Sequence, residues 1–205
     1  LGDLFDFWFE FKKVVPKGYT RLFGKLAELT DSGIKIYFFV GNHDSWMMSY
    51  FKDELGIDIF FKPKKFQINS KKFFIGHGDG LGPGDYGYKF LKIIFRNPLF
   101  KFLYSCIHPD ISIRIGEFLS RKNSVISGKE IKFESNEKEL LYNFCKKILK
   151  SDHYHYFVFG HRHIPLKINL GNNSLYYNCG DWFNHYSYLD FSNSELTLKF
   201  FKPEI

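Results

Sequence analysis

With 205 residues, 44% of them apolar or aromatic and 25% charged, the chain has globular composition and length for one domain with a sizeable core, which excludes disordered and collagen-like classes. The longest apolar runs, at 36–40 and 157–159, fall far short of the roughly 18 residues that span a bilayer, and residues 1–11 hold three acids with no cleavage-site pattern, so neither a membrane span nor a signal peptide is expected. A net charge of +7 suits an anionic partner such as phosphate, nucleic acid or acidic lipid, although a coding bias towards Lys and Phe accounts for the bulk figure equally well.

Leu22, Phe23, Leu26 and Leu29 follow helical spacing, so a helix is expected over 20–32 with Gly33 just past its end. Residues 35–40 form a short apolar run that halts at Gly41, as a buried strand does, and helix followed by strand is half of a βαβ unit. The other half is expected to precede Gly2, as an N-terminal strand that the sequence is expected to lack. Further strands are expected at 58–62, 65–69, 72–75 and 156–159, then at 166–170, 174–178, 186–191 and 195–201, the last group as an antiparallel meander. Between 80 and 150 the spacing turns helical at 88–95, 99–107, 111–119 and 137–150, broken by Asn97-Pro98 and His108-Pro109. Asn136 and Glu139 read as a capping box for the last of these helices. The economical organisation is one domain, 1–205, with a helical lid inserted at about 80–150.

Cys106, Cys145 and Cys179 lie far apart with no C-x-x-C pair, which favours a reducing compartment, the cytoplasm by default, over a disulfide framework or a zinc knot. The chemistry concentrates elsewhere. Three times an apolar strand meets a glycine and then a cluster of metal-competent side chains: Gly41-Asn42-His43-Asp44, Gly76-His77-Gly78-Asp79 and Gly160-His161-Arg162-His163. Gly2-Asp3-Leu4-Phe5-Asp6 looks like a fourth copy entered late. Polar residues just past the carboxyl ends of strands converge on one crevice in open α/β sheets. Asp, Asn and His without a thiolate suit hard or borderline divalent ions, and a pair of ions can clamp the attacking and leaving oxygens of a phosphoryl centre. His108, His153, His155 and His185 read instead as turn or solvated residues, and Trp8, Trp46 and Trp182 as packing or as walls of the crevice.

Taken in order, these four blocks resemble the calcineurin-like metallophosphoesterase signature across nearly the whole chain. The resemblance implies an α/β fold, a two-sheet β-sandwich flanked by helices, with two divalent ions, manganese the expected metal, at one end. It implies that Asp3 bridges the ions, that Asn42, His77 and His161 ligate one of them, and that His163 helps to ligate the other. His43 would stabilise the transition state or protonate the leaving group, with Asp44 orienting its ring; Asp6 stays outside the ligand set. The Asp-x-His block that opens the family signature is absent upstream of Asp3.

A narrower likeness is carried by the run from Gly76-His77-Gly78-Asp79 through Gly82-Pro83-Gly84-Asp85-Tyr86, by the helical insertion and by Asn178-x-Gly180-Asp181-Trp182. Together with Leu4-Phe5-Asp6-Phe7-Trp8 these are similar to the UDP-2,3-diacylglucosamine diphosphatases of lipid A biosynthesis. That family implies hydrolysis of a pyrophosphate bond by metal-activated hydroxide, giving UMP and 2,3-diacylglucosamine 1-phosphate. It also places Asp85 on the sugar and Arg121, Asn123, Ser124 and Lys129 on the nucleotide or phosphates. Phe90, Leu91, Ile94, Phe95, Phe102, Leu103, Ile111, Ile115, Phe118 and Leu119 offer more apolar helical surface than a small insertion needs, beside Lys89, Lys92, Arg96 and Lys101. Such a groove suits acyl chains and an anionic inner-membrane face, the alternative being packing of the insertion onto the sandwich. The expectation is a cytoplasmic monomer, peripheral on the inner membrane, with a glycolipid nucleotide as substrate and no nucleic-acid partner. Two other readings stay open: a phosphodiesterase of the same fold acting on soluble nucleotides or nucleic acid, and a non-catalytic lipid- or phosphate-binding module.

Overall fold

The computed structural model describes residues 1–82, 86–126, 135–136 and 138–202, the side chains of 121–126 excepted. The chain divides into two compact units, Leu1–Lys62 with Tyr86–Lys129, and Pro63–Asp85 with Glu130–Ile205.

In the first unit, α1 (Thr20–Asp31) turns its one buried side chain, Phe23, towards Phe5, Trp8, Phe38, Val40 and Phe51. Gly33 follows the helix with φ 89°, as a residue past a helix end does. Strand β1 (Tyr37–Phe39) pairs in parallel with β2 (Asp58–Phe60), Phe38 opposite Ile59. Between them lies the single-turn helix α2 (Tyr50–Asp53), too short for periodicity to reveal. Its start is capped from a distance: the buried Glu10 carboxylate accepts N–H bonds from Met48 at 2.7 Å, Ser49 at 2.8 Å and Tyr50 at 2.9 Å. Trp8 and Trp46 are packing residues, each in an aromatic cluster.

Helices α3 (Tyr86–Arg96), α4 (Pro98–Ser105) and α5 (Pro109–Ile126) complete this unit. Asn97 caps α4 by accepting from the Leu99 and Phe100 N–H groups, and Pro98 occupies the first turn, where no amide hydrogen is needed. The Tyr104 hydroxyl donates to the Ser112 carbonyl at 2.6 Å and ties α4 to α5. One turn further along α5, Gly116 admits the Phe7 ring into the space a Cβ would fill.

The second unit is built on a five-stranded mixed sheet in the order β3-β4-β5-β7-β6. Its strands are β3 (Lys64–Ile68), β4 (Lys71–Ile75), β5 (Tyr156–Phe159), β6 (Pro165–Gly171) and β7 (Ser174–Cys179). Strand β5 runs parallel to both β4 and β7, and all four of its residues are buried. Side chains alternate across it as strand geometry requires. Tyr156 and Val158 join Phe73, Tyr177 and Leu196 under the hairpin of β8 (Ser187–Ser192) and β9 (Glu195–Phe200). Phe157 and Phe159 join Leu141 and Cys145 of α6 (Leu140–Ile148) on the opposite face.

Most expected elements appear within a few residues of their sequence limits, and the mixed sheet with helices is compatible with a metallophosphoesterase fold. The C-terminal meander is corrected: β7 lies between β5 and β6, and β8 pairs only with β9 among the described strands. The capping box is corrected too. Helix α6 starts at Leu140, and Glu139 itself is the cap, its carboxylate accepting from the Leu141 N–H at 3.4 Å.

Candidate functional site

In the first unit the loop leaving β1 and the segment around Asp3 are laced together. Asp44 is fully buried, and its carboxylate accepts the N–H of Gly41 at 2.5 Å and of Leu4 at 3.1 Å. Asp3 in turn accepts the His43 N–H on Oδ1 at 2.9 Å and sits at φ 53°, in the left-handed region that Asp enters more readily than most residues. Gly41 makes this approach possible, because a Cβ there would fall on the Asp3 carboxylate and 2.7 Å from its backbone nitrogen.

The partners of the His43 ring differ from those expected. Its Nδ1 lies 2.9 Å from the Asp6 carbonyl and 2.7 Å from Ser120 Oγ. The Asp44 carboxylate accepts backbone amides of its own loop and of residue 4 and so organises the turn, while Ser120 and Asp6 meet the ring. Asp6 contributes its carbonyl to this contact and is itself exposed.

In the second unit His77 follows β4 and His161 follows β5, and because these strands are parallel neighbours their ends deliver both rings to one place. The ring centroids are 5.1 Å apart at an interplanar angle of 69°. His77 is buried and His161 half-buried. Gly160 N–H donates to the His77 carbonyl at 2.9 Å, and the buried Asn178 amide at the end of β7 donates to the Gly160 carbonyl. Gly78 needs its φ of 117°, and a Cβ on it would stand 3.5 Å from that of His161. The residue between the two histidines of the last block, Arg162, is pinned by a 3.3 Å contact from Nε to the buried Glu139 carboxylate.

His163 is half-exposed, with Nδ1 3.9 Å from Asp181 Oδ2. Burial pushes the Asp181 carboxyl up, but N–H bonds from Asn184 and His185 reverse this and hold it below the usual carboxylate range. His161 at φ 63° and His163 at φ 54° share the left-handed conformation of Asp3. The same conformation occurs at residues such as Asn69 and Asn193, and Asp and His adopt it more readily than most side chains do.

The donors fit a divalent cation on their chemistry: imidazole and carboxylate oxygen with no thiolate, and two rings close enough for one nitrogen of each to reach a common ion. Asn42 is half-buried in the Gly41–Asp44 loop. Asp85 and Lys129 lie outside the described residues, and Arg121, Asn123 and Ser124 lie on α5 where side chains are not described. Sequence reasoning missed Ser120, Glu10 and the tie of Glu139 to Arg162, whose partners are remote in sequence and carry no local signal.

A curated protein of Porphyromonas gingivalis (strain ATCC BAA-308 / W83), named UDP-2,3-diacylglucosamine hydrolase, is 34% identical over 217 residues, covering 97% of this chain and 81% of its own length. The chain belongs to the UDP-2,3-diacylglucosamine hydrolase family. Proteins of the same name from Ectopseudomonas mendocina (strain ymp) and Yersinia pseudotuberculosis serotype O:1b (strain IP 31758) are 36% and 28% identical, over 48% and 80% of this chain and 40% and 67% of theirs. No protein-family model matches the chain. As a member of this family the chain is a hydrolase.

Proposed function

We propose that the chain hydrolyses the pyrophosphate bond of UDP-2,3-diacylglucosamine to UMP and 2,3-diacylglucosamine 1-phosphate, the reaction implied by its family. The observation that carries the reading is similarity to the Porphyromonas hydrolase over 97% of the chain. Two divalent ions, manganese by expectation, would be held by Asp3, Asn42, His77, His161 and His163, a set supported by its donor chemistry. When bound, the ions supply Lewis acidity towards the phosphoryl oxygens and make water a competent nucleophile at neutral pH.

The protein's own groups do the rest. The Asp44 carboxylate fixes the turn that presents Asn42 and His43. With Nδ1 met by Asp6 and Ser120, His43 would turn Nε2 towards the phosphoryl group, to stabilise the developing charge or protonate the leaving group. Water oxygen bonds to the α-phosphorus, the bond to the bridging oxygen breaks, and the electron pair leaves with the sugar phosphate. Asp85, Arg121, Asn123, Ser124 and Lys129 are assigned to the sugar and nucleotide on family likeness alone.

Helices α3 to α5 support a lipid substrate. Phe95 packs against Trp46, as ordinary helix packing predicts, but Phe90 at 64%, Phe102 at 60% and Phe118 at 66% exposure remain on the surface. Among the described residues no helix is long and apolar enough to cross a membrane. Exposed apolar side chains with nearby lysines suit a lid that accepts acyl chains and a peripheral stay on the anionic inner-membrane surface, reached from the cytoplasm by a monomer. The test is UMP release from the diacylated UDP-sugar by the full-length protein with Mn²⁺, abolished by a chelator. Hydrolysis of bis-p-nitrophenyl phosphate with no UMP released from the glycolipid would overturn the substrate assignment.

A further inference from the structure

We propose that Ser120, on the inserted helix α5, is a positioning residue for His43: it fixes the imidazole as the Nδ1–H form and so reserves Nε2 for the substrate. The inference rests on the role given to His43 above, but its geometry stands by itself.

Three polar atoms meet in a triangle. His43 Nδ1 is 2.7 Å from Ser120 Oγ and 2.9 Å from the Asp6 carbonyl oxygen, and Ser120 Oγ is 2.5 Å from that same carbonyl. A carbonyl oxygen only accepts, so both its contacts need hydrogens from the other two atoms. The Ser120 hydroxyl has one hydrogen and directs it to Asp6. Ser120 Oγ therefore faces His43 with a lone pair, and Nδ1 must carry the proton that both neighbours accept. The opposite tautomer would set a bare nitrogen against a carbonyl oxygen at 2.9 Å.

Ser120 reaches this place because of how α5 is docked. Ser112, Gly116 and Ser120 recur every four residues on one helix face and all three are buried. The missing side chain at Gly116 lets the helix close on Phe7, the neighbour of Asp6. Thus the helix expected to serve the lipid and the nucleotide also reaches the ring of the catalytic loop.

The test compares Ser120→Thr with Ser120→Val in the full-length protein, two side chains of equal shape that differ in the hydroxyl. We expect Thr to retain turnover and Val to lower kcat about tenfold with KM unchanged, the scale of one hydrogen bond to a charged group. Nitrogen-15 NMR of the imidazoles, without substrate, should find the His43 proton on Nδ1 in the wild type and Ser120→Thr, and a tautomer mixture in Ser120→Val. Equal kcat in the two variants, or a wild-type ring protonated at Nε2, would overturn the proposal. Should His43→Ala leave turnover intact while the NMR result holds, the function assigned to His43 fails and the positioning by Ser120 survives.

Discussion

Gly41→Ala isolates the packing that holds the Asp3 carboxylate. The φ of Gly41 lies outside the left-handed region, so alanine is acceptable to the backbone and only space decides the outcome. A Cβ would come to 2.7 Å from the Asp3 nitrogen and 2.8 Å from its Cγ, and a backbone atom cannot swing aside as a side-chain tip can. Overpacking of this kind costs about 1 to 3 kcal/mol. Replacing glycine returns about 0.4 to 1 kcal/mol by restricting the unfolded chain. The net loss is near ~1.5 kcal/mol, which lowers the melting temperature by about 3 to 6 °C for a chain of this size. Displacing Asp3 also loosens its bond from the His43 N–H, so Mn²⁺ affinity should fall about 10- to 100-fold, the usual effect of disturbing a ligand's support. Differential scanning fluorimetry and titration against a chromophoric chelator read the two effects separately. Gly24→Ala is the control: it lies exposed within α1 with nothing within 4 Å of its absent Cβ, and should raise stability by up to about 1 kcal/mol. A Gly41→Ala protein that melts and binds Mn²⁺ like the wild type would refute the reasoning.

His43→Ala should lower kcat by about 10² to 10⁴ while bound metal, measured by elemental analysis, stays constant, because the ring is assigned to proton transfer and not to ligation. The Asp152 carboxyl is held down to about 2 from 3.8, first by the Tyr154 hydroxyl and then by Lys65. Its stabilisation is complete above 3.8 and lost as pH falls towards about 2, so Asp152→Asn should flatten urea-midpoint curves across that interval. A native thiol assay should label the exposed Cys106 quickly and leave Cys145 untouched until unfolding, since burial pushes the Cys145 thiol well up. Rapid reaction at Cys145 would show that its cluster opens readily.

Part of the fold is legible in the chain because β1, β4 and β5 end in short apolar runs that lead into a glycine. The limits expected for β5 coincide with those found, since both faces are covered and all four residues are apolar. Pairing was harder to read: β7 follows β6 in sequence yet also pairs in parallel with β5, and periodicity holds no information about which distant strand a ribbon joins. The same limit applies at the site. His77 and His161 announce themselves by residue type and by their place after strands. Ser120 does not, because nothing local distinguishes a serine that meets a ring 77 positions away from one facing water. Glu139 was legible as a capping residue but was assigned the wrong position, because its tie to Arg162 is tertiary.

The tie between Gly160 and the His77 carbonyl has a calorimetric consequence. Both imidazoles are mounted on adjoining sheet strands whose exits are already stitched together, so uptake of an ion needs no ordering of coil around them. Titration of the apo protein should then register a heat-capacity change close to that of ligand exchange alone, and amide exchange in β4 and β5 should be as slow before loading as after it.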